Sequence, residues 1–268
     1  MSGVLCVYRA ERFSPNSVDR DRAVMDAVAS LLAGRGIAVK TVGEEQLRPD
    51  RDVAVVLTMA RSAAALDVLE RMEAQGCTVI NAPGGVRRCA RSTVDCLMRS
   101  AGIPAAPLSG SNGYWIKRGD EAAQERGDVV HAADEAGRDA ALERFRARGI
   151  KDVVVTAHVE GDLVKFYGVG GTGFFRTFYP GDGLYSKFGD ELVNGRPVHY
   201  RFLADDMKRD AGRLASLVGV DVYGGDCIVR RDGTYAFIDF NDWPSFAMCR
   251  NEAAEAIAKI VCEKVKRQ

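Results

Sequence analysis

The sequence has no excess of either charge: 37 Lys and Arg stand against 37 Asp and Glu, a formal net charge of +0. Proteins that coat nucleic acid collect phosphates through surplus cations, so a zero sum excludes that class for the chain as a whole. It contains no run of about 18 apolar residues, so no segment is expected to span a bilayer. Histidine is scarce, with only His131, His158 and His199, and the seven cysteines are scattered with no C-x-x-C pair. Those shortages argue against a zinc site or a disulfide framework, and leave reduced, mostly buried thiols in a cytoplasmic protein. The N-terminus lacks a basic region before its short apolar run and reads as a first strand, not a signal peptide. Internal repeats and low-complexity tracts are also missing.

What is present is a globular composition, 47% apolar with 28% charged residues. The 268 residues suffice for one large or two small domains. The first hundred residues alternate. An apolar strand at 4–8 precedes a helix at 19–33 whose stripe is Val24, Met25, Val28, Leu31 and Leu32. Ser17 is placed to cap that helix, and Gly34 or Gly36 to end it. Segments 37–42 and 53–58 read as buried strands, 62–75 as a helix, and 78–80 as a third inner strand. This order predicts a parallel, Rossmann-like α/β unit.

Asn81-Ala82-Pro83-Gly84-Gly85 interrupts the alternation, a helix runs to about Ser100, and Gly102-Ile103-Pro104 interrupts again. Beyond that point the texture changes. Aromatic strands at 114–117, 153–158, 163–169, 174–179 and 235–240 alternate with helices at 134–148 and 203–218, an α+β arrangement of mixed or antiparallel sheet. An amphipathic helix at 251–266 closes the chain.

Gly168-Val169-Gly170-Gly171-Thr172-Gly173 matches the dinucleotide pattern by letter. That chemistry needs the loop to open a helix whose amides hold the pyrophosphate, and Phe174-Phe175-Arg176-Thr177-Phe178-Tyr179 is strand-forming instead. A glycine-rich hairpin turn is what remains. The most informative stretch is Ile238-Asp239-Phe240-Asn241-Asp242-Trp243-Pro244. Asp239 and Asn241, two apart on a strand, project to one face. Upstream, Tyr223-Gly224-Gly225-Asp226 opens an apolar strand, and Arg231-Asp232-Gly233 is a turn that pairs the two strands. Two carboxylates and an amide suit Mg²⁺. By themselves these residues fit equally a pair of solvated strand ends.

Asp226, a hairpin, then Asp239-x-Asn241-x-x-Pro244 resembles the metal-binding end of the ATP-grasp superfamily. Other motifs follow in that family's order: residues 81–104 are similar to its linker helix, and Tyr114-Trp115-Ile116-Lys117 to a lid strand ending in a phosphate-binding lysine. Thr156-Ala157-His158-Val159-Glu160-Gly161 resembles the hinge that receives adenine, and Tyr185-Ser186-Lys187 the loop lysine for the terminal phosphate. The resemblance implies an ATP-grasp fold over residues 104–268, with a small lid at 104–160 and a metal and phosphate part at 161–268. The Rossmann-like unit and linker helix would occupy 1–103.

The implied ligands are ATP and Mg²⁺ or Mn²⁺. Asp226, Asp239 and Asn241 would hold the metal, and Arg91, Lys117, Thr156, His158, Val159, Glu160, Asp162 and Lys187 the nucleotide, with Asp162 first candidate for the ribose. Lys187, Arg176 and Arg201 would serve the reaction, the arginines through the substrate carboxylate and its oxyanion. Departures are Arg91 where the family has lysine, a polar 118–128 in place of a glycine-rich lid loop, Asp239 where Glu is common, Gly224 and Gly225 where many ligases place arginine, and Ser245 for a glycine. The implied activity is ligation of a small-molecule or peptide carboxylate to an amine. Two other readings stay open: phosphorylation of an alcohol, since the C-terminal motif is also similar to inositol-polyphosphate kinases, and a nucleotide-binding module without turnover. Arg9, Arg12 and Arg61, past the ends of the first strands, are expected near the substrate or in solvent. Neither nucleic acid nor membrane is expected as a partner; a second copy of the chain is left open.

Overall fold

A computed structural model describes residues 3–14, 18–50, 52–120, 125–182 and 193–266. Four strands, β1 (Gly3–Tyr8), β2 (Val39–Gly43), β3 (Val53–Thr58) and β4 (Thr78–Ile80), form a parallel sheet in the order β2-β1-β3-β4. Helices α1 (Val18–Gly34) and α2 (Ala63–Ala74) cover its two faces. Strand alternation divides β1 between them. Val4 and Cys6 join the core containing Val24, Met25, Val28 and Leu32 of α1, whereas Leu5 and Val7 join Leu66, Leu69 and Met72 of α2. The expectation of a buried strand at 37–42 is corrected. β2 is the sheet edge, so Lys40 and Thr41 are exposed where a central strand would bury them. Ser62 caps α2 through the Ala65 amide; Ser17 lies outside the described residues.

The single helix expected up to Ser100 is two, α3 (Pro83–Arg88) and α4 (Arg91–Ser100). Ala90 is extended (φ −53°, ψ 131°), which ends one helix and starts the next at Arg91. A three-stranded antiparallel sheet follows, β6-β5-β7, from β5 (Tyr114–Arg118), β6 (Val129–Ala132) and β7 (Val153–Ala157). α5 (Glu135–Ala147) covers one face through Ala141 and Phe145 against Tyr114 and Ile116. β6 escaped the sequence reading because four residues, one a histidine, carry too little alternation to register.

β8 (Asp162–Val169), β9 (Phe175–Phe178), β10 (Val222–Val229) and β11 (Tyr235–Asp242) make an antiparallel sheet in the order β11-β10-β8-β9. α6 (Ala204–Val218) packs Met207, Ala211 and Leu214 on the face bearing Val164, Phe166, Cys227 and Phe237. α7 (Arg250–Val265) lies with α1 in a core that also takes Val169, Val222, Trp243 and Phe246, joining the parallel sheet to this one. The buried Asn81 side chain reinforces the junction: its amide donates to the Val222 carbonyl (2.7 Å), and its oxygen accepts from the Asp221 and Val222 amides (both 2.8 Å). Among the described residues, no helix is long and apolar enough to cross a membrane.

Candidate active site

Asp226 stands directly opposite Asp239, and Gly224 opposite Asn241, across β10 and β11. On the other side of β10, Lys165 stands opposite Asp226 and Tyr167 opposite Gly224. Directly opposed residues share a sheet face. The face away from α6 therefore carries a row Lys165–Asp226–Asp239 and beside it a row Tyr167–Gly224–Asn241. Two carboxylates in opposed positions repel unless cations attend them. Lys165 Nζ lies 2.9 Å from Asp226 Oδ1, and Arg91 Nε lies 3.5 Å from Asp239 Oδ1. Asn241 Nδ2 donates to Asp239 Oδ2 at 3.4 Å. Burial pushes the Asp239 carboxyl up, but Arg91, Lys117, Asn241 and Lys165 together outweigh it and hold the group below the usual carboxylate range.

Cys227 pairs with Phe237, so Ile238 is the extra residue of a bulge beside Asp239. Its carbonyl accepts a 2.7 Å hydrogen bond from Lys117 Nζ, which reaches over from β5. Arg91 also donates to the Arg118 carbonyl (2.6 Å), so the first turn of α4, the end of β5 and β11 meet at one point. There Arg91, Lys117, Thr156 and Asp239 line a cleft whose apolar walls include Met98, Val154 and Phe237. Four residues far apart in sequence are thus brought together. A separate concavity of about 770 Å³, beside the C-terminal ends of α1 and α7, has mixed charges and none of this convergence.

The hinge residues lie next to the cleft. The amides of Ala157 and His158 donate to the carbonyls of Pro107 and Gly113 (2.7 and 2.8 Å). His158 Nδ1 accepts from Trp115 Nε1 (3.1 Å), and its ring lies 5.4 Å from that of His131. Val159 is buried and its carbonyl accepts from Asn194 Nδ2 (3.0 Å); exposed Glu160 accepts from Asn112 (2.9 Å).

Several expected roles do not match the geometry. Asp162 is buried, and its two oxygens accept from the Val198 and Tyr200 amides (both 2.7 Å), so it ties down the chain before α6 and does not face a ribose. Arg176 stands on the edge strand β9, paired with Glu252 and opposite Tyr167, three strands and roughly 14 Å from Asn241. Arg201 is exposed with its backbone beside Gly233, six residues and roughly 20 Å along the hairpin from Asp239. Arg9 and Arg61 are taken up by Asp242 and are not free for a substrate. Tyr185 and Lys187 lie outside the described residues. The arginine absent before Asp226 has no room: a Cβ at Gly225 would stand 2.2 Å from the Asp239 carbonyl, and one at Gly224 2.8 Å from the Phe166 carbonyl. Lys165 reads in the sequence only as part of segment 164–169, the strand similar to the one that follows the hinge; its place beside Asp226 is readable only once its neighbour across the ladder is known.

The donor set fits a hard divalent cation. Among the described residues no three His, Cys, Asp or Glu side chains converge on one point, so the candidate is two aspartates completed by an amide. Hard oxygens that leave positions for phosphate and water are the usual Mg²⁺ arrangement.

No protein-family profile and no curated protein sequence matches the chain. Solved structures do. A D-alanyl-alanine synthetase A from Vibrio cholerae aligns over 100% of both chains with TM-score 0.71 and 12% identity. The ATP-grasp ligase PsnB, in complex with a minimal precursor, aligns over 98% of this chain and 100% of its own, with TM-score 0.66 and 14% identity; a further PsnB structure holds Mg and ADP. D-cycloserine synthetase DcsG aligns over 97% and 100%, with TM-score 0.64 and 16% identity. At such identities the likeness shows the fold alone: this chain shares the fold of these solved ligases, PsnB among them an ATP-grasp ligase.

Proposed function

We propose that the protein is an ATP- and Mg²⁺-dependent ligase joining a small-molecule or peptide carboxylate to an amine. The observation that carries this reading is the opposed pair Asp226 and Asp239, with Lys165 on Asp226 and with Arg91 and Lys117 beside Asp239 in one cleft. Paired carboxylates among cations suit a site that takes a metal together with phosphate, because each partner then loses its counter-ion to the incoming ligand. The ligase fold of the solved relatives supports it.

In this reading Asp226, Asp239 and Asn241 hold Mg²⁺ or Mn²⁺, which when bound supplies charge neutralisation between the phosphates. Lys117 and Arg91 turn from Ile238 and Asp239 towards the phosphate chain. Thr156, His158 and Val159 border the base, and Glu160 takes the ribose. Lys187 is assigned the terminal phosphate on the resemblance alone. Lys165 takes the place beside the reacting carboxylate that Arg176 and Arg201 do not reach. The γ-phosphoryl passes to the substrate carboxylate, releasing ADP; the amine then attacks the acyl carbon and phosphate leaves. Residues 1–103 form the Rossmann-like unit and linker, and 104–268 the ATP-grasp part.

The test is ADP release from ATP and Mg²⁺ with paired panels of amino acids, short peptides and amines. Release that requires both a carboxylate and an amine is expected. A phosphorylated polyol would replace the ligase with a kinase, and Mg²⁺-dependent ATP binding with no ADP under any condition would leave a binding module.

A further inference from the structure

β1 and β3 are neighbours in the parallel sheet, and the strand order reverses between them. The crevice past the carboxyl ends of two such strands is where open α/β sheets take their ligands. Arg9 follows β1 directly, and Arg61 lies three residues beyond β3. The backbones of both loops are fixed by one buried carboxylate: Glu44 accepts from the amides of Ala10 (3.0 Å), Arg61 (2.6 Å) and Ser62 (3.2 Å). What the two guanidiniums grip is not a ligand but Asp242 of the same chain. Arg61 binds its Oδ1 at 2.5 Å and its carbonyl at 3.1 Å, and Arg9 lies 3.7 Å from its Oδ2. Arg9 also donates to the carbonyls of Met59 (3.1 Å) and Trp243 (3.2 Å), and pairs with Asp21 at 3.3 Å. The Asp242 side chain is 2% exposed.

Asp242 is the last residue of β11 and immediately follows Asn241. Alternation sends the two side chains to opposite faces, Asn241 to the metal side and Asp242 into the crevice. The next residue, Trp243, is held in the left-handed region at φ +41°, a conformation a bulky residue keeps only where its surroundings impose it. Its buried ring and its amide bond to the Val222 carbonyl supply those constraints.

We propose that Asp242 is a positioning residue for the metal site. The ligand crevice of the N-terminal sheet serves as a socket for the end of the metal strand, and the grip of Arg9 and Arg61 on Asp242 sets where Asn241 and Asp239 present their oxygens. This rests on the nucleotide and metal reading above.

The experiment follows melting temperature of the full chain at saturating ATP while Mg²⁺ is titrated, and reads the Mg²⁺ concentration at half of the shift. Asp242→Asn keeps the shape and removes the charge that both arginines hold; the half-saturation concentration is expected to rise about tenfold or more, as for other partners of metal ligands. Leu69→Ala, on α2 in the core against the parallel sheet, lowers the melting temperature without touching the socket and is expected to leave that concentration unchanged. Arg61→Lys keeps the charge but loses the fork, and is expected to give a smaller rise in the same direction. A Mg²⁺ requirement in Asp242→Asn within twofold of the unaltered protein overturns the proposal. If that variant does not fold, Arg61→Lys decides, and an unchanged requirement there overturns it. Absence of any Mg²⁺-dependent shift in the unaltered protein would overturn the nucleotide reading first and this proposal with it.

Discussion

Lys117 Nζ donates a 2.7 Å hydrogen bond to the backbone carbonyl of Ile238, 121 residues away in sequence. The carbonyl is available because Ile238 is the extra residue of the β11 bulge, and the bond joins β5 to the strand that carries Asp239 and Asn241. A nearly buried ammonium resting on a neutral acceptor has more to gain from a phosphate than from the carbonyl it leaves. Replacement by methionine keeps most of the volume and removes the charge. Lys117→Met should weaken ATP binding by about 10- to 100-fold, the worth of a hydrogen bond to a charged group, with little loss of stability. Calorimetric titration of ATP with Mg²⁺ checks it, and unchanged affinity would remove Lys117 from the site.

The opposition of Asp226 and Asp239 makes a second expectation. Asp239→Asn relieves the repulsion across the ladder but removes one of two carboxylates from the metal set. Stability without ligand should fall modestly, because Arg91, Lys117 and Lys165 lose the carboxylate that they hold ionised. The added stability from Mg²⁺ with ATP, about 2.7 kcal/mol at a hundredfold excess over Kd, should disappear, a loss of roughly 5 °C in the ligand-induced melting shift. A variant that keeps the full shift would exclude Asp239 as a ligand.

Lys165 Nζ sits 2.9 Å from Oδ1 of Asp226, one of the proposed metal ligands. Lys165→Met should therefore separate binding from turnover. Removing the competing cation should lower the Mg²⁺ concentration needed in the binding assay, while ADP release should fall by about two orders of magnitude as the charge beside the transferred phosphoryl is lost. Parallel changes in both quantities would argue for a purely structural lysine.

His158 sets a pH dependence. Burial, and then the neighbouring His131, hold it below its ordinary value of 6.5, and only the neutral ring can accept the Trp115 indole N–H. The unfolded chain takes up this proton near pH 6.5, whereas the folded chain resists until lower pH. The stability this group contributes is therefore complete above about pH 6.5 and is lost as pH falls from there through the folded value. His158→Gln should flatten the decline in the urea midpoint as pH falls below about 6.5. An identical decline in the variant would assign it to other groups.

Much of this was legible in the linear sequence. The stripe Val24, Met25, Val28 and Leu32 announced α1, and the turn at Arg231-Asp232-Gly233 announced the hairpin that sets Asp226 against Asp239. Arg91, Lys117 and Thr156 were picked from loose motifs and share a cleft with Asp239. The surroundings of Asp162, Arg176 and Arg201 were not legible, because what each one meets is distant in sequence: the Val198 and Tyr200 amides for Asp162, Glu252 for Arg176, and the hairpin turn for Arg201. A charged side chain looks the same in sequence whether it meets solvent, substrate or another residue of its own chain.

Periodicity is a property of neighbours in the chain, which is why helices, inner strands and the face shared by Asp239 and Asn241 could be read without coordinates. Register and saturation of charge depend on contacts between distant segments. The sheet order exposed β2, the bulge at Ile238 turned a carbonyl towards Lys117, and the ladder put Lys165 beside Asp226. The crevice between β1 and β3 likewise closed on Asp242 rather than on a ligand, because two guanidiniums there found a buried carboxylate of their own chain to neutralise them.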